Sequence, residues 1–599
     1  MPTTIADRVA ALRQIVEQGG GDGFIVPHED EYQNENLPLW AERLAWLTGF
    51  TGSAGVAVVL MDKAVVMSDA RYTLQLPQQC DAAIFTTENS SKVGVATWLK
   101  QNAPTGAKIF YDAFLHSKAQ IDALTRALDG TGIVLAALTP NPIDTVWDKE
   151  GRPALPAAPV TLFPEILSGT SSRDKRAALA TQLRADGHHA TLLTAQDSVA
   201  WLLNIRGADV PQTPVALSYL LLRADGHAVW FIPPAKIPED VRDALGDDVT
   251  IVPPDALAQH IADLRGQAVR IDSAQCSAAI FDMLIAQDIS VVAGPDLCLL
   301  PRAIKTSAEQ AAMRQAHIRD GVAMVKFLHW LDGQVAAKAK MDEVSIGAKL
   351  TTFRAQAAEF RDISFDPIVG FNGNGAIIHY RAENDPTNAA QVTGNGVLLI
   401  DSGAQYSDGT TDITRTLAIN TVPDDIRASS TAVLRGHIAL ASAVFPQGTT
   451  GIQLDTLARA PLWRVGLDYP HGTGHGVGCY LSVHEAAGQG IHARGAAPIL
   501  PGMILSNEPG YYREGAFGIR IENLILCQDV GRNYDDGRAR CSFETITLCP
   551  YDRNMIVAAD LTPAEIAWIN AYHAQVRTKL TPFLDADQAA WLHAQTEAL

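Results

Sequence analysis

Between Leu398 and Glu522, acidic residues and histidines recur at the edges of apolar runs. Leu398-Leu399-Ile400 ends in Asp401-Ser402-Gly403, and Asp412 opens Ile413-Thr414 after Thr410-Thr411. His475 lies in His471-Gly472-Thr473-Gly474-His475-Gly476-Val477-Gly478, Glu508 precedes Pro509-Gly510, and Glu522 closes Phe517-Gly518-Ile519-Arg520-Ile521. Four carboxylates and one imidazole form an oxygen-rich donor set with one borderline nitrogen. Such a set suits Mn²⁺ first, with Co²⁺, Fe²⁺ or Zn²⁺ as alternatives, and it holds too many ligands for one ion. Two ions about 3.5–4 Å apart, bridged by carboxylates and a water, would use them all. The expectation is a dinuclear hydrolase site.

Local elements must bring these groups together. Gln405-Tyr406-Ser407-Asp408-Gly409 reads as the turn of a hairpin between Asp401 and Asp412. Centred at Tyr406 and Ser407, that hairpin would set Asp401 and Asp412 directly opposite, with Cβ atoms about 5 Å apart. Two readings are open: turn aspartates that face water, or a like-charged pair held by a divalent cation. The strand expected over Phe517 to Glu522 would place Arg520 and Glu522 on one face, where a buried ion pair between them is the structural alternative to a ligand role. The glycines around His475 let backbone approach closely.

The rest of the chain supplies the frame. At 599 residues it exceeds the roughly 250–300 residues of a single core. A net charge of −19 without clustered Lys and Arg argues against a nucleic-acid partner. Seven scattered cysteines, an odd number without a CxxC pair, argue against a disulfide framework or a zinc-thiolate site and for a reducing compartment. Charged residues near the N-terminus precede any apolar run of signal-peptide length, and no run approaches the ~20 apolar residues of a membrane span, so a cytoplasmic protein is expected.

The first half repeats. Ala10-Ala11-Leu12 before a glycine stop and a strand is matched by Ala177-Ala178-Leu179 before Asp186-Gly187 and Ala190-Thr191-Leu192-Leu193. Ala45-Trp46-Leu47 is matched by Ala200-Trp201-Leu202 at a shorter offset, which places about a dozen extra residues of the first copy in the polar loop near residues 28–36. Pro153-Ala154-Leu155-Pro156 reads as a linker. Thr306-Ser307-Ala308-Glu309 has capping-box spacing and opens a long helix, with a second helix from about Asp342 to Ala355. A further helix begins near Thr562, where Trp568, Ile569 and Tyr572 could pack on the domain or on a second subunit.

The ordered set Asp401, Asp412, His475, Glu508 and Glu522, with its flanking residues, resembles the pita-bread metallopeptidases, the family of methionine aminopeptidase, prolidase and aminopeptidase P. Asp401-Ser402-Gly403-Ala404-Gln405-Tyr406, the glycine-rich tract around His475 and Glu508-Pro509-Gly510-Tyr511-Tyr512 are similar to the long, three-domain cytosolic Xaa-Pro aminopeptidases of that family. The resemblance implies an α/β and α+β protein: two tandem creatinase-like α/β domains (residues 1–155 and 156–302), then a pita-bread catalytic domain (303–599) with a C-terminal helical extension from about residue 540. It implies two divalent ions, with Asp401 on one, His475 and Glu508 on the other, Asp412 and Glu522 bridging, and a hydroxide between them attacking the scissile carbonyl. Glu508 would carry the proton. His379, His471 and His484 would line a proline pocket and hydrogen-bond the substrate and its tetrahedral intermediate, while Arg520 would orient Asp401, joined by Tyr512.

The activity expected from this resemblance is release of the N-terminal residue from peptides with proline second, by a homodimer. A prolidase-like dipeptidase shares the metal set but usually carries one N-terminal domain. Creatinase has the fold without metals, and non-catalytic binding proteins of the same fold have lost ligands that this chain retains.

Overall fold

The computed structural model describes residues 4–382, 389–485 and 490–599. The chain divides into two units, Met1–Glu165 with Thr170–Leu299, and Ile166–Gly169 with Leu300–Leu599. Among the described residues no helix is long and apolar enough to cross a membrane.

The first unit contains the repeat. Thr4 caps the helix Ile5–Gln18 by a reciprocal bond with Asp7, and Val9, Leu12 and Val16 bury its apolar stripe. Two six-stranded sheets follow. With the strands of each counted in chain order, both run 4-3-2-1-5-6. In both, strands 1–2 and 2–3 pair antiparallel, while 3–4, 1–5 and 5–6 pair parallel. Identical order and polarity in two consecutive stretches is a duplicated α/β fold. The extra residues fall where expected: residues 28–42 separate the strand Gly23–Pro27 from the helix Arg43–Thr48, whereas only residues 194–195 separate Ala190–Leu193 from Gln196–Leu203.

The second unit carries the acidic residues. Thr306 and Glu309 form the expected capping box on the 30-residue helix Ser307–Ala336, and Asp342 caps Glu343–Arg354. Phe327, Leu328, Leu331, Ile346 and Leu350 from these helices pack on Leu398, Ile400, Ile413 and Leu417. Those last four belong to the strands Gly396–Ser402 and Ile413–Ile419, and Gly396–Ser402 is the middle strand of its three-stranded sheet. A second, four-stranded sheet contains Ile504–Asn507 and Asn523–Asn533, paired antiparallel so that Asn507 faces Asn523.

Two local expectations are corrected, and one open alternative is decided. The hairpin turns at Ser407-Asp408, so Asp401 faces Thr414 and Tyr406 faces Gly409. Packing decides this register: a Cβ at position 409 would lie 2.8 Å from Ala316 Cβ and 3.0 Å from Met313 Sδ, so glycine must sit where the returning strand meets the long helix. Asp408 is held in the turn by two bonds from Arg319 at 2.8 and 2.7 Å. The slip is two residues, which keeps Asp401 and Asp412 on the same face.

The strand expected to reach Glu522 ends at Arg520. The Glu522 N–H is taken by the Thr414 carbonyl at 3.1 Å, so the chain crosses there from one sheet to another. Ile569 and Tyr572 are buried in the core of their own unit, with Trp568 packed against it and its ring stacked on Tyr572 at 5.6 Å. Tyr572 is therefore not a surface residue awaiting a second subunit.

Candidate metal centre

Asp401 is 8% and Asp412 4% exposed, which excludes turn aspartates that face water. One ligand atom each from Asp412, His475 and Glu522 lie within 4.8 Å of one another. The imidazole of His475 is oriented by its own loop. Nδ1–H donates to the Gly476 carbonyl at 2.9 Å, leaving Nε2 facing Asp412 Oδ2 at 3.4 Å and Glu508 Oε1 at 3.5 Å. A Cβ on Gly474 would sit 1.9 Å from the Ser506 carbonyl oxygen, so only glycine lets this loop lie against the strand that delivers Glu508. Ser506 joins the two side chains, accepting from the His475 N–H at 2.9 Å and donating to Glu508 Oε1 at 3.1 Å.

Electrostatics of the cluster show how costly it is to bury these charges together. Burial raises the Glu522 carboxyl far above its ordinary range, and the charges of Asp412, Glu508 and Asp401 add to the shift. Burial lifts Glu508 to about 7 against the opposing influence of His475 and Arg520. Burial also raises Asp401, opposed by Arg520 and reinforced by Asp412. Burial would depress His475, but the hydrogen bond to Asp412 and the nearby Glu508 charge lift it to about 9. A lone pair on Nε2 facing two carboxylate oxygens is repulsive unless a proton or a cation lies among them. Asp401 Oδ1, buried and without a hydrogen-bond partner among the described residues, is a further unused donor. The residues fit divalent cations.

Arg520 connects this cluster to one of the three further histidines. Its Nη2 donates to Asp401 Oδ2 at 2.6 Å and its Nη1 to the Tyr512 hydroxyl at 2.8 Å. His471 Nδ1–H donates to the Gly472 carbonyl at 2.8 Å, so Nε2 accepts from Tyr512, also at 2.8 Å. The line Asp401–Arg520–Tyr512–His471 thus has a defined direction at every bond. His484 lies edge-on to His475 with ring centroids 4.4 Å apart. Half-buried His379 follows Ile378, whose carbonyl accepts from Arg520 Nη2 at 3.5 Å.

Residues 311–529 match Metallopeptidase family M24, and residues 540–599 match the C-terminal region of peptidase M24. Residues 8–140 and 151–309 each match a Creatinase/Prolidase N-terminal domain. The chain is 38% identical to a probable Xaa-Pro aminopeptidase P of Laccaria bicolor, over 99% of this chain and 93% of that protein. The chain belongs to metallopeptidase family M24. This M24 chain is also 35% identical to aminopeptidase P2 of Arabidopsis thaliana, over 99% of its own length and 89% of the relative's. An X-prolyl aminopeptidase from Caenorhabditis elegans, described as a cytosolic enzyme with a di-nuclear active site, superposes with a TM-score of 0.93. It is 30% identical, and each chain is covered completely. Two creatinase-type domains followed by a pita-bread domain are therefore the fold of this M24 chain.

Two residues that the sequence motifs do not single out also shape the site. Thr414 donates to Glu522 Oε2 at 2.7 Å. Ser506 joins His475 to Glu508, yet it precedes Asn507-Glu508 without any local feature marking it. The strand Ile504–Asn507 ends before Glu508, so the contact is made where the chain leaves the sheet.

Proposed function

We propose that this chain is a Xaa-Pro aminopeptidase that releases the N-terminal residue from peptides whose second residue is proline. The observation that carries the reading is the buried cluster of Asp412, His475 and Glu522, with His475 Nε2 also facing Glu508, in a chain that matches Xaa-Pro aminopeptidases along nearly its whole length. In this reading Asp401 would hold one divalent ion, His475 and Glu508 would hold the other, and Asp412 and Glu522 would be shared between them. The oxygen-rich donor set favours Mn²⁺. When bound, two such ions supply Lewis acidity and a water activated at neutral pH.

The chain's own groups do the rest. Arg520 holds Asp401 Oδ2, leaving Oδ1 for a ligand role. Glu508, held by Ser506, carries the proton toward the departing imino nitrogen. His484, beside His475, supports the developing oxyanion, and with His379 and His471 it forms the proline pocket. A peptide bond to proline has no N–H to recognise, so gripping the rigid ring by shape is the available route to specificity. The two creatinase-type domains favour this activity over the prolidase-like alternative. A cytoplasmic homodimer completes the proposal, and light scattering at micromolar concentration that gave one chain's mass would remove the dimer.

The assignment of ligands is tested by Asp412→Ala. Removing the bridging carboxylate should abolish hydrolysis and lower metal content while the far-UV spectrum is retained. Full activity with two metals still bound would overturn it.

A further inference from the structure

Beneath the two glutamates lies a buried polar network that the roles above do not use. Arg415 is 1% exposed, and its guanidinium donates to six oxygens, none of them a carboxylate. Nη1 reaches the carbonyls of Thr414 at 2.9 Å and Glu522 at 2.8 Å. Nη2 reaches Asn523 Oδ1 at 2.8 Å, the Cys549 carbonyl at 2.7 Å and the Tyr572 hydroxyl at 3.2 Å, while Nε reaches the Pro550 carbonyl at 3.0 Å. A guanidinium has five N–H groups in a rigid fork, so all are engaged in one geometry.

A second arm runs through Tyr551, whose ring lies 4.7 Å from the Arg415 guanidinium. Its hydroxyl accepts from Asn523 Nδ2 at 2.8 Å and donates to His437 Nε2 at 3.0 Å. His437 Nδ1–H donates to the Asn507 carbonyl at 3.0 Å, and the Asn507 amide donates back to the His437 carbonyl at 2.9 Å. Asn507 precedes Glu508, Asn523 follows Glu522, and the two asparagines are partners in one strand pair. Both glutamates therefore project from backbone that is held by this network. Cys549, Pro550, Tyr551 and Tyr572 all lie within residues 540–599.

We propose that the 540–599 region is a positioning device for the metal centre, in which Tyr551 and Tyr572, acting through Arg415, His437 and the two asparagines, fix the backbone that carries Glu508 and Glu522. None of these side chains need touch a reacting atom, so they are positioning residues. The inference rests on the reading above that Glu508 and Glu522 are metal ligands. The competing view is that the region merely completes a hydrophobic core, to which Ile569, Val576 and Leu580 belong. Under that view, changes there would lower stability and leave metal affinity alone.

The test uses the full chain and reads metal binding without substrate. Tyr551→Phe and Tyr572→Phe each remove one hydroxyl, and Arg415→Lys keeps the charge but cannot span six acceptors. Mn²⁺ is titrated calorimetrically into each metal-free protein, and its metal-free melting midpoint is recorded. Both tyrosine variants should stay folded and bind Mn²⁺ about 10-fold more weakly, the lower end of what loss of a ligand's own outer partner costs, because they act one residue further out. Val576→Ala, a core change in the helix Pro563–Leu580 that carries Tyr572, should lower the melting midpoint with an unchanged Mn²⁺ isotherm. Unchanged affinity in both tyrosine variants, or an equal loss of affinity in Val576→Ala, would overturn the inference even if Arg415→Lys fails to fold. Wild-type protein that binds two ions yet cleaves no Xaa-Pro peptide would sink the proposed activity and leave this inference standing.

Discussion

Acidification from pH 7 to pH 5 should weaken the catalytic unit through one buried imidazole. His437 is fully enclosed, with Nδ1–H committed to the Asn507 carbonyl, so Nε2 must act as an acceptor for Tyr551 and Asn523. Burial, and then the positive charge of Arg415, hold its pKa at about 3 rather than the ordinary 6.5. In the unfolded chain the same imidazole takes up a proton near pH 6.5. Between those values the unfolded state binds more protons, so stability falls as pH falls. At pH 5 the unfolded imidazole is about 1.5 units below its pKa, which at about 1.4 kcal/mol per unit gives about 2 kcal/mol. Urea unfolding of metal-free wild type and His437→Gln at the two pH values isolates this contribution, because other titrating groups cancel in the double difference. Wild type should lose about 2 kcal/mol more than the variant in the transition that melts the catalytic unit. Equal losses in the two proteins would refute the neutral, buried imidazole.

Other outcomes follow from contacts around the acidic cluster. Asp320 pairs with Arg354 at 2.8 Å, and Arg354 also holds the Gly403 carbonyl at 3.2 Å. Asp320→Asn, which leaves that guanidinium buried without its counter-charge, should cost about 3–5 kcal/mol in denaturant unfolding, and a loss below about 1 kcal/mol would contradict the pairing argument. Gly474→Ala should abolish Mn²⁺ binding in the metal-free protein, since the added methyl collides with the Ser506 carbonyl, and normal binding would show that the loop can move aside. His484→Ala should lower turnover by the equivalent of about 2–4 kcal/mol while metal stoichiometry is retained; parallel loss of metal would make His484 a ligand.

What could be read from the sequence was what is local. The capping box at Thr306 and Glu309 and the cap at Asp342 set helix bounds within a few residues of themselves, and both helices begin there. A hairpin centred at Tyr406 and Ser407 would set Asp401 opposite Asp412, but the register depends on Gly409 meeting Met313 and Ala316, nearly a hundred residues earlier. No local pattern marks Arg415, because its partners Asn523, Cys549 and Tyr572 lie 108, 134 and 157 positions away. The aromatic residues near the C-terminus signalled burial correctly. Whether they would be buried within one chain or between two depends on long-range packing, and Tyr572 proves to be committed to Thr547, Cys549 and Arg415.

The central claim is the reaction, and one comparison tests it most directly. Mn²⁺-loaded protein is incubated with Arg-Pro-Pro, Arg-Ala-Pro and N-acetyl-Arg-Pro-Pro, and the products are read by mass spectrometry. A site that grips the proline ring and needs the free α-amino group should release arginine readily from the first peptide alone. Equal cleavage of the alanine peptide or of the acetylated peptide would contradict the Xaa-Pro aminopeptidase assignment, even with both metal positions filled.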